Sequence, residues 1–306
     1  MLESATVLRV DRKRVIVDLA DGTVLEAQSR GRLHQARGRT KSPVAVGDQV
    51  QIERVADGGV AIVGVSPRRS VLKRPEAGGR WRDQVLVANA DHAVLVFAFA
   101  DPEPHAGLVD RLLVACHAGN VPPILVFNKS DLTATPETHA LVDLYTGLGY
   151  RVLRTCASDG TGVDALKELL QGRSSLFAGP SGTGKSSLIN VVLPGIELRT
   201  GEISRKSSKG QHTTTAAELV RLDGGAYVID TPGIREFGLR DIPLRELELN
   251  FPEFPVPAQC RFLDCAHLTE PNCAVLQAVK VGEVARSRHA SYRTLRSELD
   301  KSRKSY

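Results

Sequence analysis

Apolar and polar residues alternate along the first part of the chain, in short runs separated by Asp-Gly or other Gly-containing turns. The runs read ATVLRV, RVIVDLA, TVLEAQS, DQVQIERV and GVAIVGV. A period of two indicates strands with one buried face. Five short strands within residues 1–68 predict a small closed β-barrel of OB or SH3-like type, and we expect the OB-like form.

Residues 69–235 have a different spacing of apolar residues from the first part of the chain. Near-continuous apolar runs such as HAVLVFAFA and PPILVFNKSD alternate with amphipathic stretches such as LVDRLLVACHAG. Continuous apolar runs are typical of strands buried on both faces, and their alternation with helices predicts a parallel sheet covered by helices. Ligands bind such sheets at the carboxyl ends of the strands. Residues 236–306 are expected to form a third, mainly helical domain.

Composition places the chain among soluble, multidomain globular proteins. It has 306 residues, of which 42% are hydrophobic and 25% are charged, and this length has room for two or three domains. No apolar run reaches the ~18 residues needed to cross a bilayer. The N-terminal stretch MLESATVLRVDRKRV lacks the apolar core of a secretory signal. We therefore expect a cytoplasmic protein that does not bind a membrane.

The stretch GPSGTGKSS, residues 179–187, is the clearest motif in the chain. It fits the phosphate-loop pattern G-x-x-x-x-G-K-[ST] and lies between a predicted strand and a predicted helix. Glycines let backbone N–H groups surround phosphate oxygens, and the helix adds its positive N-terminal end. Lys185 is expected to reach the β and γ phosphates, and Ser186 to hold Mg²⁺. The predicted phosphate-binding residues are Gly179, Pro180, Ser181, Gly182, Thr183, Gly184, Lys185, Ser186 and Ser187.

The stretch NKSD, residues 128–131, predicts which base is bound. The carboxylate of Asp131 can accept hydrogen bonds from the ring N–H and the exocyclic amine of guanine, a pair that adenine lacks. Asn128 is expected to contact the other edge of the base and the stem of Lys129 to cover its face, and Ser130 is also predicted to be a binding residue. The small-residue turn TCAS, residues 155–158, is expected to close over the base. Its predicted binding residues are Cys156 and Ala157, the latter through its backbone N–H.

The stretch DTPG, residues 230–233, follows the apolar run AYVI. Asp230 is expected to hold Mg²⁺ and the backbone N–H of Gly233 to meet the γ-phosphate. The preceding polar stretch SSKGQHTTT suits a switch loop that the γ-phosphate and Mg²⁺ would order. One of its three threonines is expected to ligand Mg²⁺, and we favour Thr214.

Hydrolysis requires a group that orients the attacking water. Many GTPases carry a glutamine after the glycine of D-x-x-G, but Ile234 occupies that position here, and isoleucine cannot orient water. His212 is therefore our candidate for this role, with Lys185 and Thr214 completing the predicted catalytic set. The alternative for His212 is a histidine that packs or contacts RNA.

The motifs occur in an unusual order. From N to C terminus they are the base motif, the base-closing turn, the phosphate loop, the switch and the Mg²⁺ aspartate, which is a circular permutation of the usual GTPase order. Permutation is tolerated when it opens a surface connection and joins nearby termini. Here the opening falls just after DTPG, so the chain runs from the predicted γ-phosphate sensor directly into residues 236–306. This connection predicts that the C-terminal domain responds to the nucleotide state.

Three of the five cysteines lie within a short C-terminal window. Cys260, Cys265, His267 and Cys273 form the pattern C-x₄-C-x-H-x₅-C, which offers four ligands of the kind that zinc prefers. An odd number of cysteines in a cytosolic chain also argues against a disulfide framework. We predict one structural Zn²⁺ that stabilises a small domain; the alternative is a set of buried structural cysteines.

Two stretches are strongly basic, and the formal net charge of the chain is +5. RGRLHQARGRTK, residues 30–41, carries five Arg or Lys and no acid, and residues 285–306 carry seven against two acids. Arg286, Arg293 and Arg296 are expected to share one helical face. Both stretches are candidate contacts to RNA phosphates, and the alternative for each is a solvated surface.

Taken together, the permuted motif order, the N-terminal barrel and the C-x₄-C-x-H-x₅-C tail resemble the small ribosomal subunit biogenesis GTPases, the RsgA (YjeQ) family. The resemblance covers the whole chain. It implies a monomeric late assembly factor that binds the 30S subunit and its rRNA near the decoding region and leaves after GTP hydrolysis. It also implies GTP/GDP, Mg²⁺ and zinc as ligands, and slow intrinsic hydrolysis that the subunit stimulates. Gln211 stands where the family's switch usually has Arg.

Two other functions stay open on the sequence. One is a GTPase of signalling or metabolism that does not bind RNA. The other is an RNA-binding scaffold with a vestigial nucleotide site, although the intact Lys185, Ser186 and Asp230 argue against it.

Overall fold

The computed structural model of the chain describes residues 2–11, 14–30, 33, 43–55, 58–75, 83–193, 218–222, 227–230, 237–239, 241–255 and 259–304. At positions 74, 75, 83, 218, 230 and 304 only the backbone is described. In this part of the chain, no helix combines the length and the apolar character needed to cross a bilayer.

Five N-terminal strands close into a barrel, which confirms the predicted fold of this region. The strands are β1 (Leu2–Val10), β2 (Val15–Leu19), β3 (Val24–Ser29), β4 (Gln49–Arg54) and β5 (Val60–Val65). They pair in the order β1-β2-β3-β5-β4, and β4 pairs back to β1, which closes the barrel. Inward-facing residues such as Val7, Val17, Ile52 and Ile62 are fully buried, because alternate residues of each strand point to the interior.

The central region is an α/β sheet, as the apolar runs predict. Its strands are β8 (His92–Ala98), β9 (Pro123–Asn128), β10 (Arg151–Arg154), β11 (Ser174–Ala178), β12 (Glu218–Arg221) and β13 (Tyr227–Asp230). The spatial order is β10-β9-β8-β11-β13-β12, and only β12 runs antiparallel to its neighbour in this sheet region. Its helices are α1 (Ala106–Ala118), α2 (Pro136–Gly147), α3 (Val163–Leu170) and α4 (Lys185–Val192).

Helices cover both faces of this sheet. Leu95, Phe97 and Phe127 pack on one face, in the same cluster as the buried residues of α1. Val94 and Val96, one residue out of phase, pack on the other face with α3 and α4. Because successive side chains of a strand point to opposite faces, both sets come from continuous apolar runs.

A short antiparallel hairpin, β6 (Val71–Pro75) and β7 (Asp83–Ala88), lies between the barrel and the α/β sheet in sequence. It forms a separate two-stranded sheet. Sequence analysis did not predict it, because neither segment has a long apolar run or a clear alternation.

The barrel and the α/β sheet are continuous through β12, which pairs with β1 at Arg9 and Glu218. The carboxylate of Asp18, in β2, is fully buried at this junction. It accepts hydrogen bonds from Nη1 of Arg221 at 2.9 Å and from the hydroxyl of Tyr227 at 2.7 Å. The barrel is therefore fixed to both strands of the β12–β13 hairpin.

The C-terminal region is mainly helical, as predicted. It contains two 3₁₀ turns, Leu244–Glu246 and Glu248–Asn250, followed by α5 (Ala274–Val281) and α6 (Arg286–Lys304). Its core is aromatic: the rings of Phe251, Phe254 and Tyr292 lie with centroids 5.0–5.5 Å apart.

A buried ion network joins the C-terminal region to α1. Arg288 of α6 donates to Asp110 of α1 at 2.6 Å and to both carboxylate oxygens of Glu253. Although burial opposes its charge, the hydrogen bonds that Arg288 donates to Glu253 and the charge of Asp110 raise the pKa of Arg288. The guanidinium therefore stays charged between two carboxylates and holds α6 against α1.

Candidate nucleotide and metal sites

The predicted nucleotide motifs meet at one edge of the sheet. The strands β8, β9, β10, β11 and β13 are parallel, so their carboxyl ends lie side by side. Asn128 ends β9, Thr155 follows β10, and Gly179 follows β11. The fold thus brings the base motif and the phosphate loop together, as the positions of these motifs at strand ends predict.

Asn128 connects three of these segments. Its side chain is almost fully buried. Its Nδ2 donates to the backbone carbonyl of Thr183 in the phosphate loop at 2.9 Å, and its Oδ1 accepts from the hydroxyl of Thr155 at 3.1 Å. The sequence-based expectation placed this amide at the edge of the base, but its oxygen and one N–H are used inside the protein. The second amide N–H is available for a contact to guanine.

The phosphate loop follows a backbone path that excludes side chains. Gly179 and Gly184 have φ values of 153° and 76°, in the range that favours glycine. A Cβ at Gly179 would lie 2.0 Å from the carbonyl oxygen of Val96, and one at Gly184 would lie 2.4 Å from Nδ2 of Asn128. The loop therefore packs closely against β8 and the base motif, and α4 begins at Lys185. This geometry fits a phosphate cradle.

The base motif presents its acid at the surface. Asp131 is exposed, and Sγ of the buried Cys156 lies 3.1 Å from its Oδ1. The backbone N–H of Ser130 donates to the carbonyl of Thr155 at 3.0 Å, so the motif is bound to the closing turn. A carboxylate held in this way offers the acceptors that guanine needs.

Lys129 lies across the phosphate loop. It adopts a positive φ of 61°, and its Cε would be 4.0 Å from a Cβ on Gly184. Its Nζ donates to the carbonyl of Asp101, in the loop after β8. The extended stem is thus held beside the site, where it can cover an aromatic base.

Some of the remaining residues predicted to bind the nucleotide lie within the described part of the chain, and others lie outside it. Ser186 and Ser187 lie with Lys185 in the first turn of α4. Ala157 lies in the turn after β10, where the N–H of Gly160 donates to the carbonyl of Cys156. The backbone of Asp230 pairs with Phe177 of β11, next to the phosphate loop. His212, Thr214 and Gly233, and the side chain of Asp230, lie outside the described residues.

Two parts of this edge were not predicted from the sequence. The hydroxyl of Thr155 holds Asn128, but a threonine at the start of a turn gives no sign of this role. The loop after β8 also reaches the phosphate loop: Cδ of Pro102 would be 3.6 Å from a Cβ on Gly182. The position of this loop at the carboxyl end of a buried strand was the signal that could have identified it.

The four predicted metal ligands converge in the C-terminal region. The ligand atoms of Cys260, Cys265, His267 and Cys273 all lie within 4.8 Å of one another, and all four residues are buried. Nδ1 of His267 is 3.3 Å from Sγ of Cys273 and 3.7 Å from Sγ of Cys260, and these two sulfurs are 4.0 Å apart. Ligands of a tetrahedral zinc ion stand roughly 3.5–3.8 Å apart, given Zn–S near 2.3 Å and Zn–N near 2.0–2.1 Å. The cluster therefore fits zinc.

The surroundings of the cluster also suit a cation. Burial raises the pKa of Cys265 to about 12, so a metal that binds this sulfur would have to displace its proton. The backbone N–H groups of Ala274 and Leu276 donate to the sulfurs of Cys260 and Cys273.

Glu270 shapes the loop between the ligands. Its carboxylate accepts from the N–H groups of Ala266, Leu268 and Thr269 at 2.8–3.0 Å. Although burial opposes it, the backbone N–H of Glu270 itself and these three donors lower the pKa of Glu270 to about 2. The charged carboxylate therefore orders the backbone on both sides of His267.

The basic surfaces are only partly described. Residues 31–32 and 34–42, most of the basic barrel loop, lie outside the described residues. On α6, Arg286 and Arg293 are exposed as predicted. Arg296 lies three residues after Arg293, on the same side of the helix, and is half-buried. Its guanidinium donates to the carbonyl of Leu244 and to the hydroxyl of Tyr292, so it is less accessible than the other two.

Comparisons with known proteins agree with this architecture. The sequence matches the family model described as RsgA GTPase over residues 65–240. It is 44% identical to the small ribosomal subunit biogenesis GTPase RsgA of Gemmatimonas aurantiaca, with 91% of each chain covered. It is 42% identical to the protein of the same name from Moorella thermoacetica, covering 90% of this chain and 92% of that one.

Solved structures give the same result for the fold. The crystal structure of YjeQ from Thermotoga maritima matches with a TM-score of 0.76 and 33% identity, over 98% of this chain and 99% of that one. YloQ, described as a circularly permuted GTPase, matches with a TM-score of 0.72 and 25% identity, over 98% and 96%. Both the sequence and the fold are thus shared over nearly the full length, and the chain belongs to the RsgA family of small ribosomal subunit biogenesis GTPases.

Proposed function

We propose that this GTPase is a late-stage assembly factor of the 30S ribosomal subunit that binds rRNA and is released when GTP is hydrolysed. The observation that carries the proposal is the likeness over about nine tenths of the chain to relatives named small ribosomal subunit biogenesis GTPase. Because ribosomal subunits assemble in the cytoplasm, we propose that it acts there, as a monomer.

We propose a division of roles among residues 1–68, 69–235 and 236–306. The first forms an OB-like barrel whose basic loop meets rRNA phosphates, and the second binds and hydrolyses GTP. The third binds zinc and presents Arg286 and Arg293 to RNA. The support is the exposure of these two arginines and the positive net charge, since phosphate contacts supply most of the sequence-independent affinity for nucleic acid.

For guanine, we propose that Asp131 accepts from the ring N–H and the amine, and that the second amide N–H of Asn128 meets the opposite edge. The stem of Lys129 would cover the face of the base, and the backbone N–H of Ala157 would close over it. The exposure of Asp131 and the anchoring of Asn128 by Thr183 support this arrangement.

For the phosphates, we propose the backbone of residues 179–187 with Lys185, and Ser186, Thr214 and Asp230 as the residues that would hold magnesium. Magnesium, when bound, would neutralise charge on the phosphate oxygens. The support is the backbone path of the loop, in which a Cβ at Gly179 or Gly184 would clash.

For hydrolysis, we propose that His212 holds the attacking water, since Ile234 offers no polar group. Removing one positioned group of this kind costs about 10²–10⁴-fold in rate. His212→Ala should therefore lower subunit-stimulated turnover by at least about tenfold and leave nucleotide affinity unchanged. If stimulated turnover stays at the wild-type rate, another group positions the water.

Co-sedimentation tests the proposed partner and the release step. The full chain is spun with purified 30S subunits in the presence of a non-hydrolysable GTP analogue or of GDP, and with 50S subunits as the control. We expect the protein to pellet with 30S when the analogue is bound and to remain in the supernatant with GDP. If it pellets with neither state, the function lies with GTPases of signalling or metabolism.

A further inference from the structure

The imidazole of His267 has two distinct environments. Its Nδ1 faces the sulfurs of the cluster, at 3.3 Å from Cys273 and 3.7 Å from Cys260. Its Nε2 points away from the sulfurs and lies 3.0 Å from Oε2 of Glu248. The nitrogen that faces the ligand cluster is therefore Nδ1, and the other nitrogen already has a partner.

Glu248 is in a position to fix this arrangement. Its side chain is 13% exposed and that of His267 is 1% exposed, so solvent competes little with their contact. A carboxylate only accepts hydrogen bonds, so Nε2 must carry the proton. Histidine binds a metal as the neutral imidazole, and in that form the lone pair is then on Nδ1, on the side of the sulfurs. Carboxylates that hold a histidine ligand in this way also raise its basicity toward the metal.

We propose that Glu248 is a positioning residue of the metal site, and that Nδ1 of His267 is the coordinating atom. The inference rests on zinc being the ion of this cluster. Glu248 lies 19 residues before His267, outside the C-x₄-C-x-H-x₅-C pattern, so spacing alone could not indicate it. Its contribution acts through the tautomer and orientation of the imidazole and not through a bond to the metal.

The position of Glu248 connects the metal site to the segment that follows the GTPase region. It begins the second 3₁₀ turn, Glu248–Asn250, in the segment between the GTPase region and the cysteine cluster. The neighbouring Leu247 and Phe251 are fully buried in the core that includes α1. Through His267 and Glu248, a bound ion therefore stabilises the connection to the GTPase region as well as the loop that holds the cysteines.

His267 is also fixed from the other side. Its backbone carbonyl accepts from Nε2 of His289 at 2.8 Å, and the carbonyl of Ala266 accepts from the hydroxyl of Tyr292. These two bonds fix the backbone of the loop. The ring itself is held by the hydrogen bond between its Nε2 and Glu248. Loss of Glu248 should therefore change the orientation of the ring more than the path of the chain.

The test compares full-length Glu248→Ala and Glu248→Gln with Glu246→Ala as the matched control. Glu246 lies two residues away in the preceding 3₁₀ turn and is half exposed, beside Arg245. Zinc affinity is measured by competition with a chromophoric chelator. We expect Glu248→Ala to weaken zinc binding by about 10–100-fold. Glu248→Gln keeps an acceptor oxygen and should lose less, and Glu246→Ala should match the wild type.

GDP affinity is measured in each variant and should be unchanged, which separates a metal effect from general unfolding. A second measurement needs no variant: ¹⁵N NMR of the zinc-bound wild type should show a protonated Nε2 and a metal-bound Nδ1 on His267. Wild-type zinc affinity in Glu248→Ala, or coordination through Nε2, would overturn the inference. Neither experiment contains a ribosomal subunit, so its result is independent of the proposed action on the 30S subunit.

Discussion

Nδ2 of Asn128 donates to the backbone carbonyl of Thr183 at 2.9 Å, across 55 residues of sequence. This bond joins the base motif directly to the phosphate loop, although the permutation places β9 before β11 in the chain, the reverse of the usual order. The two ends of the proposed nucleotide site are thus held in register by one buried amide.

Asn128→Ala should weaken guanine nucleotide binding and lower stability. The change removes the bonds to Thr183 and Thr155 and leaves the carbonyl and the hydroxyl without their partner. Each buried group left unpaired costs about 1–3 kcal/mol. GDP affinity and urea unfolding measure the two effects. Thr155→Val, which removes one of the two bonds, is the comparison and should have a smaller effect. Wild-type GDP affinity in Asn128→Ala would show that the connection does not matter for binding.

Asp131→Asn should change the choice of base from guanine toward xanthine. An amide cannot accept from both the ring N–H and the amine of guanine, but its N–H₂ group can donate to the carbonyl that xanthine carries instead. Competition binding with GTP and xanthosine triphosphate measures the change. Asp159→Asn is the matched control, since Asp159 is an exposed acid that bonds the backbone N–H of Thr161 in the nearby turn. Undiminished GTP affinity in Asp131→Asn would contradict the proposed role of this carboxylate.

The sequence indicated where the site lies but not how its parts are joined. Motifs at the ends of buried parallel strands must meet at one edge, so the convergence of NKSD and GPSGTGKSS followed from local pattern. The zinc ligands were likewise within fourteen residues of one another. The bond from Asn128 to Thr183 depends on which strands are neighbours, and the contact of Glu248 with His267 depends on tertiary packing. Neither contact can be predicted from the spacing of residues in the sequence.

The burial of Arg288 is another feature that could not be predicted from residue spacing. The residue lies in a basic segment that sequence patterns cannot distinguish from a solvated helix face. In the structure it is 1% exposed, because Asp110, 178 residues earlier, and Glu253 surround it. The burial of a charged residue is decided by partners that are distant in sequence.

Arg288→Ala should loosen the C-terminal region from α1. The substitution leaves the carboxylates of Asp110 and Glu253 buried without a counterion, and breaking a buried pair in this way costs about 3–5 kcal/mol. Urea unfolding of the full chain measures the loss. Arg286→Ala, an exposed arginine on the same helix, should unfold like the wild type. Equal stability of the two variants would show that the ion network does not hold the interface.

His117 should make stability fall on mild acidification. Burial and the nearby Arg288 lower the pKa of this histidine from its ordinary value of 6.5. Between the lowered value and 6.5 the unfolded chain binds the proton and the folded chain does not, so the free energy of unfolding decreases as the pH falls through this window. NMR titration of the imidazole measures the pKa directly, and His117→Gln should flatten this part of the pH profile. A pKa at or above 6.5 would contradict the prediction.

The rate of GTP hydrolysis with and without purified 30S subunits is the decisive test of whether this GTPase acts on the small subunit. The full chain is measured alone, with 30S and with 50S, and Lys185→Ala serves as the inactive reference because it lacks the proposed phosphate-binding ammonium. We expect slow turnover by the protein alone, a clear increase with 30S, no increase with 50S, and no turnover by Lys185→Ala. A wild-type rate that stays the same when 30S subunits are added would contradict this expectation.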